Sequence, residues 1–197
     1  MVSMVTVPAS ITLPIRPDGF TVDDLDALPE TGSIRYELVD GTLLVSPAAR
    51  HRHQLAIGDL VDVLKAACPP DLVVVPAAQD VRGGPRTSLQ PDLLVERLAD
   101  IDLDAHVAPA PLLVVEVISP SSRRFDLLVK REVYAEMGVP SYWVLHPAED
   151  WVKVFELRHG EYDEVASAQG DDLLRVERPF PVTFRPTDLL ARFRGNA

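Results

Sequence analysis

The chain has 197 residues, 47% hydrophobic and 25% charged, enough for one ordinary domain with a core and short of two. Its one cysteine, Cys68, excludes a disulfide framework within the chain, and no apolar run approaches the roughly 20 residues that span a bilayer. A net charge of −11 argues against an avid, nonspecific nucleic-acid binder, which carries a basic footprint.

The opening run MVSMVTVPASITLPIRP has no clear period, and lacks the basic n-region and compact apolar h-region of a signal peptide. Residues 1–20 are therefore expected to form an arm, and residues 21–197 a single domain of a soluble, cytoplasmic protein. Thr21 can cap a short helix over 22–28, with Asp23 and Asp24 in the first turn where the helix dipole favours acids, and Pro29 stops it. SIRYELVDGTLLVSP gives two alternating runs around Asp40-Gly41, a strong hairpin signal, with Glu37 on the first strand.

From about Ala48 to Cys68, apolar residues recur at helical spacing (Leu55, Ile57, Leu60, Val61, Leu64, Ala67), and Pro69-Pro70 ends the helix. Its start carries Arg50-His51-Arg52-His53. On a helix, His51 and His53 point roughly 200° apart, so they cannot easily share a metal ion. LVVVP, AAQDVRG and SLQPDLLVE read as strands, and residues 97–111 as a polar connection with at most one helical turn.

LLVVEVISP follows. Five of the six residues 112–117 are aliphatic, which suits a strand buried on both faces. The sixth is Glu116, whose burial without a partner would cost several kcal/mol. Ser121 and Ser122 can cap a helix to about Met137, with Gly138 at its C′ position. SYWVLHP and WVKVFEL are further strands, weaker strand-like pieces continue to about Phe184, and Thr187 is expected to cap a last helix, DLLARF. This order predicts an α/β or α+β single domain, a mixed sheet flanked by helices.

The chain has no GxxxxGK[ST], GxGxxG, HExxH, GxSxG or CxxC, so phosphate-loop, zinc-protease and serine-hydrolase chemistries start without support. The informative feature is acids on apolar strands: Glu37, Asp92 and Glu116. Singly, each could face water or pair with an arginine. Two on neighbouring central strands would repel unless a cation separates them. A hard divalent ion does so, and a bound water beside it suits phosphodiester hydrolysis. Lys130, on the next helix, is the candidate protein cation, in a polar strip with Asp126 and Tyr134. The plainer alternative is an exposed i,i+4 Asp–Lys pair worth a few tenths of a kcal/mol.

At RYELVDG, His53-Gln54, QPDLLV, VVEVISPSS and DLLVK followed by Tyr134 and GVPSYWVLHP, the chain resembles the Uma-type branch of the PD-(D/E)xK nuclease superfamily. The resemblance spans residues 34 to about 157 and implies a restriction-endonuclease-like core: a mixed central sheet, flanking helices and acids at strand ends. It implies that Asp92 and Glu116 are the metal-binding acids, with the Val117 backbone carbonyl as an extra ligand and Glu37 approaching the same site. Where the superfamily places its lysine, two residues after Glu116, this chain has Ile118. The branch takes that lysine from the next helix, here Lys130.

The implied activity is Mg²⁺- or Mn²⁺-dependent hydrolysis of nucleic acid, foremost DNA, with Arg50, Arg52, His53, Arg123 and Arg124 as candidate backbone contacts. A homodimer would suit double-strand cleavage. The competing expectations are an inactive module of the same fold that binds nucleic acid or protein, and an enzyme acting on a small phosphorylated or carboxylated substrate in a closed cavity.

Overall fold

Asp40 and Gly41 adopt positive φ angles of 45° and 78°. A two-residue hairpin turn requires this, and the pair joins β1 (Ile34–Val39) to β2 (Thr42–Pro47) in antiparallel register. A Cβ on Gly41 would run into the guanidinium of Arg86. The computed structural model describes residues 16–29, 34–47, 49–76, 79–118 and 125–196. Residues 1–15 of the expected arm lie outside this set. Helix α1 (Val22–Asp26) starts as expected: Thr21 and Asp24 form a reciprocal capping box.

Helix α2 (His51–Ala67) buries Ala56, Ile57, Leu60, Val61 and Leu64, the stripe its apolar spacing predicts. β3 (Leu72–Pro76) follows. Two expected strands are shorter than their sequence suggests. Of AAQDVRG, only β4 (Val81–Arg82) and an isolated bridge from Asp80 to Val107 are described. SLQPDLLVE divides into β5 (Ser88–Leu89) and β6 (Leu93–Arg97), because Pro91 lacks the N–H that a continuous ladder needs. The connection after β6 holds one 3₁₀ turn, Leu98–Asp100.

β7 (Leu113–Val117) is buried at every residue. The helix expected after it is described from Phe125 onward. It opens with a π-helical turn, Phe125–Lys130, and continues as α3 (Arg131–Glu136). Gly138, with φ of 77°, closes α3 as the sequence predicts. The N–H of Gly138 bonds to the carbonyl of Ala135, and that of Val139 to the carbonyl of Tyr134, a Schellman pair that fixes the last turn.

β8 (Ser141–His146), β9 (Trp151–Arg158), β10 (Glu161–Gln169), β11 (Leu174–Val176) and β12 (Val182–Phe184) complete the strands. The expected helix DLLARF is instead two 3₁₀ turns, Pro186–Asp188 and Ala191–Asn196. Arg185, not Thr187, stands at the cap position, and its N–H donates to Asp188. Leu190 between the turns has a φ of 66°, which interrupts helix growth.

The main sheet has strand order β10-β9-β8-β7-β6-β3, with β7 and β8 parallel and the other neighbours antiparallel. A smaller sheet, β2-β1-β5-β4, and the β11–β12 hairpin accompany it. Alternation along β7 explains its composition. Leu113, Val115 and Val117 pack with α2, Trp143, Leu145 and the β11–β12 side chains. Val114 and Ile118 pack with Val133, Tyr134, Tyr142 and Val144 on the other face. Each such aliphatic side chain contributes about 1.5–3 kcal/mol on burial. Glu116 shares the second face. Among the described residues, no helix is long and apolar enough to cross a membrane.

Candidate functional site

Glu116 is 2% exposed, so its carboxylate must find its partners inside the protein. Two come from the helical segment that follows. Lys130 Nζ lies 2.9 Å from Glu116 Oε1, and the Tyr134 hydroxyl donates to the same oxygen at 2.9 Å. Lys130 and Tyr134 are four residues apart on one side of that segment. Burial, and then the neighbouring charge of Glu116, push the Tyr134 hydroxyl well above its ordinary range, so it stays a donor.

The smaller sheet supplies the second acid. Glu37 on β1 is 4% exposed, and its Oε1 lies 2.8 Å from Lys130 Nζ. The ammonium, itself 3% exposed, thus bridges carboxylates from two sheets. That burial rules out the exposed Asp–Lys pair. The side chain of Asp126 lies outside the described residues.

Asp92 arrives through the break that Pro91 makes. Leu93 pairs with Val115, a register that brings Pro91 opposite Val117. The Val117 N–H is taken instead by Asp92 Oδ2 at 2.8 Å. His53 Nε2, from the first turn of α2, lies 3.0 Å from the same oxygen, and Arg35 donates to Oδ1 at 2.8 Å. Burial pushes the Asp92 carboxyl up, but His53, Arg35 and Lys130 outweigh it and hold the carboxyl at about 2. Asp92 is therefore ionised throughout the physiological range.

Arg35 and Gln90 are the members that the sequence alone did not single out. Arg35 lies two residues before Glu37 on β1, hence on the same face. Its second nitrogen donates to the carbonyl of Gln90 at 3.1 Å, while the Gln90 N–H donates to Glu37 Oε1 at 3.0 Å. Desolvation opposes the guanidinium charge, yet Asp92, Glu116 and Glu37 together raise its pKa. The available signal was a buried acid with an arginine two positions away in an alternating strand.

Ile118, where a lysine would complete the superfamily pattern, is 2% exposed and packs in the apolar cluster with Val114, Val133 and Tyr134. Its N–H bonds to the carbonyl of Leu145 at 2.8 Å. That position serves packing.

The candidate backbone contacts divide. Arg50 and Arg52 are exposed at the start of α2. His53 is turned onto Asp92 rather than outward. Arg123 and Arg124 lie outside the described residues. Val117 contributes its N–H to Asp92.

Asp92, Glu116 and Glu37 offer oxygen donors only, the set that Mg²⁺ or Mn²⁺ prefers over softer metals. The cations within the described cluster are the protein's own, Lys130 between Glu37 and Glu116, and Arg35 on Asp92, with His53 as a further hydrogen-bond partner of Asp92. Among the described residues, the group whose three donor atoms lie within 4.8 Å of one another is a different one, Asp26, Asp80 and His106. Arg82 contacts all three, as Lys130 and Arg35 contact the acids of the central cluster.

The model of the Uma2 family, described as "Putative restriction endonuclease", matches residues 22–191. No curated protein matches the chain. A crystal structure described as a putative nuclease belonging to DUF820, from Anabaena variabilis, superposes with a TM-score of 0.70 at 21% identity. The match covers 87% of this chain and 98% of that one, and at this identity it establishes the shared fold.

Proposed function

Because the chain belongs to the Uma2 family of restriction-endonuclease-like proteins, we infer that it hydrolyses phosphodiester bonds of nucleic acid, DNA foremost, with Mg²⁺ or Mn²⁺. One observation carries this reading: Glu37 and Glu116, from two different sheets, converge on the buried ammonium of Lys130. Asp92 is tied to the N–H of the residue after Glu116.

Asp92 and Glu116 would hold the metal, with Glu37 beside them. When bound, the metal lowers the pKa of water and offsets charge on the phosphate. The chain does the rest. Lys130 orients the attacking water or stabilises charge on the phosphate in the transition state, where a preorganised buried cation is most effective. Tyr134 holds Glu116, while the Val117 N–H, His53 and Arg35 hold Asp92. Water adds to phosphorus, the bond to one ester oxygen breaks, and that oxygen leaves with a proton. Arg50 and Arg52, exposed at the start of α2, are suited to the nucleic-acid backbone, and that binding should weaken steeply with salt.

The experiment is incubation of purified protein with supercoiled plasmid and with RNA, in EDTA and in Mg²⁺ or Mn²⁺. DNA cleavage should require the metal, and should be lost in Asp92→Ala and Glu116→Ala proteins that remain folded. Alanine variants that cleave as well as wild type would identify a contaminating nuclease and end the proposal.

A further inference from the structure

Arg35 is placed to act on two of the three acids at once. One nitrogen of its guanidinium donates to Asp92 Oδ1 at 2.8 Å, and the other to the Gln90 carbonyl at 3.1 Å. Gln90 passes this constraint on, because its own N–H holds Glu37 Oε1 at 3.0 Å. Its side-chain amide is anchored separately on Asp80 Oδ1 at 2.8 Å. The segment Gln90-Pro91-Asp92 lies between β5, which ends at Leu89, and β6, which begins at Leu93; the Asp92 N–H bonds to the Val115 carbonyl at 3.0 Å, while Pro91 has no N–H to offer. The forked guanidinium adds a restraint at both ends of the segment, on the Gln90 carbonyl and on the Asp92 carboxylate.

The Asp92 carboxylate is consequently restrained at both oxygens. Oδ2 accepts from the Val117 N–H and faces His53, and Oδ1 accepts from Arg35. With Oδ1 released, the broad last torsion of the carboxylate is held only through Oδ2.

We propose that Arg35 is a positioning residue that sets the Asp92 carboxylate and the Gln90 segment for binding of a divalent cation. This rests on the metal-dependent reading above. An opposite role is also physically available. As a simple counter-charge, Arg35 would compete with a metal for Asp92, and its removal would tighten metal binding. The two roles therefore differ in sign, which makes the inference testable without an activity assay.

The test is calorimetric titration of the full chain with Mn²⁺, for wild type, Arg35→Gln, Arg35→Lys, Asp92→Asn and the Arg35→Gln/Asp92→Asn pair, with thermal melting to verify folding. Arg35→Gln should weaken Mn²⁺ binding about 10- to 100-fold, the range for lost support of a metal ligand. Arg35→Lys should weaken it similarly, because one ammonium cannot reproduce the planar fork to two acceptors, and this variant decides the matter if Arg35→Gln does not fold. The double variant should lose less than the sum of the single losses, since Arg35 acts largely through Asp92 and otherwise only through the Gln90 segment. Unchanged or tighter binding by the Arg35 variants, or losses that add in full, would overturn the inference while leaving the metal site standing. A wild-type protein that binds no Mn²⁺ would remove both.

Discussion

Lys130 and Glu116 lie fourteen residues apart in sequence, yet Nζ and Oε1 are 2.9 Å apart in a buried pair. The strand carrying Glu116 ends at Val117, and the chain returns as a helix on the same face of the sheet. An ammonium on its first turns therefore reaches back over the strand end. The same ammonium lies 2.8 Å from Glu37.

Removing that ammonium leaves two buried carboxylates facing each other. Lys130→Met should destabilise the fold by about 3–5 kcal/mol, the usual cost of breaking a buried pair. Urea unfolding at neutral pH measures it. A loss under about 1 kcal/mol would mean that Glu37 and Glu116 find other compensation.

Tyr134→Phe removes one donor from Glu116 and keeps the ring, which packs at 5.5 Å from Tyr142. The expected loss is about 1–3 kcal/mol, the cost of leaving a buried acceptor short of a partner. Because the phenol is held well above its ordinary range, wild type and Tyr134→Phe should show the same phenolate absorbance through the ordinary tyrosine titration range.

Asp92 gives the acid limb of the stability profile. Its folded pKa of about 2 lies below the ordinary value of 3.8, so its contribution is fully present above about pH 4 and is lost as pH falls towards 2. The difference corresponds to about 2 kcal/mol, roughly half of it gone by pH 3. Urea midpoints from pH 5 to 2.5 should fall more steeply for wild type than for Asp92→Asn. Parallel curves would contradict the electrostatic account.

Ile118→Lys would restore the superfamily spacing and should still harm the protein. The side chain is 2% exposed among Val114, Val133 and Tyr134, and Lys130 already supplies the ammonium. A loss of about 3 kcal/mol or more is expected from lost packing and a buried second charge. An Ile118→Lys protein as stable as wild type would show that this position tolerates a cation.

Much of this arrangement is legible in the sequence, because it is local. The Asp40-Gly41 turn, the α2 stripe, the Gly138 stop and the doubly buried β7 follow from neighbouring residues. An acid in such a strand announces that a cation is near, and helical spacing limits which one it is. Arg35 was hidden because its partners lie 55 and 57 positions away, across a sheet boundary that residue patterns do not reveal. The division of SLQPDLLVE was signalled by Pro91, but its consequence, two sheets meeting at Asp92, required the fold. His53 looked like a member of a basic surface run, and only the approach of α2 to β6 turns it onto an acid. The π-helical turn before α3 leaves no residue pattern that periodicity detects.

The central claim is that the acids around Lys130 form a divalent-metal site. Crystals soaked in Mn²⁺ and measured for anomalous scattering test it most directly. A peak is expected in contact with the carboxylates of Asp92 and Glu116. Ordered crystals with no peak there, or with the ion only at Asp26, Asp80 and His106, would contradict it.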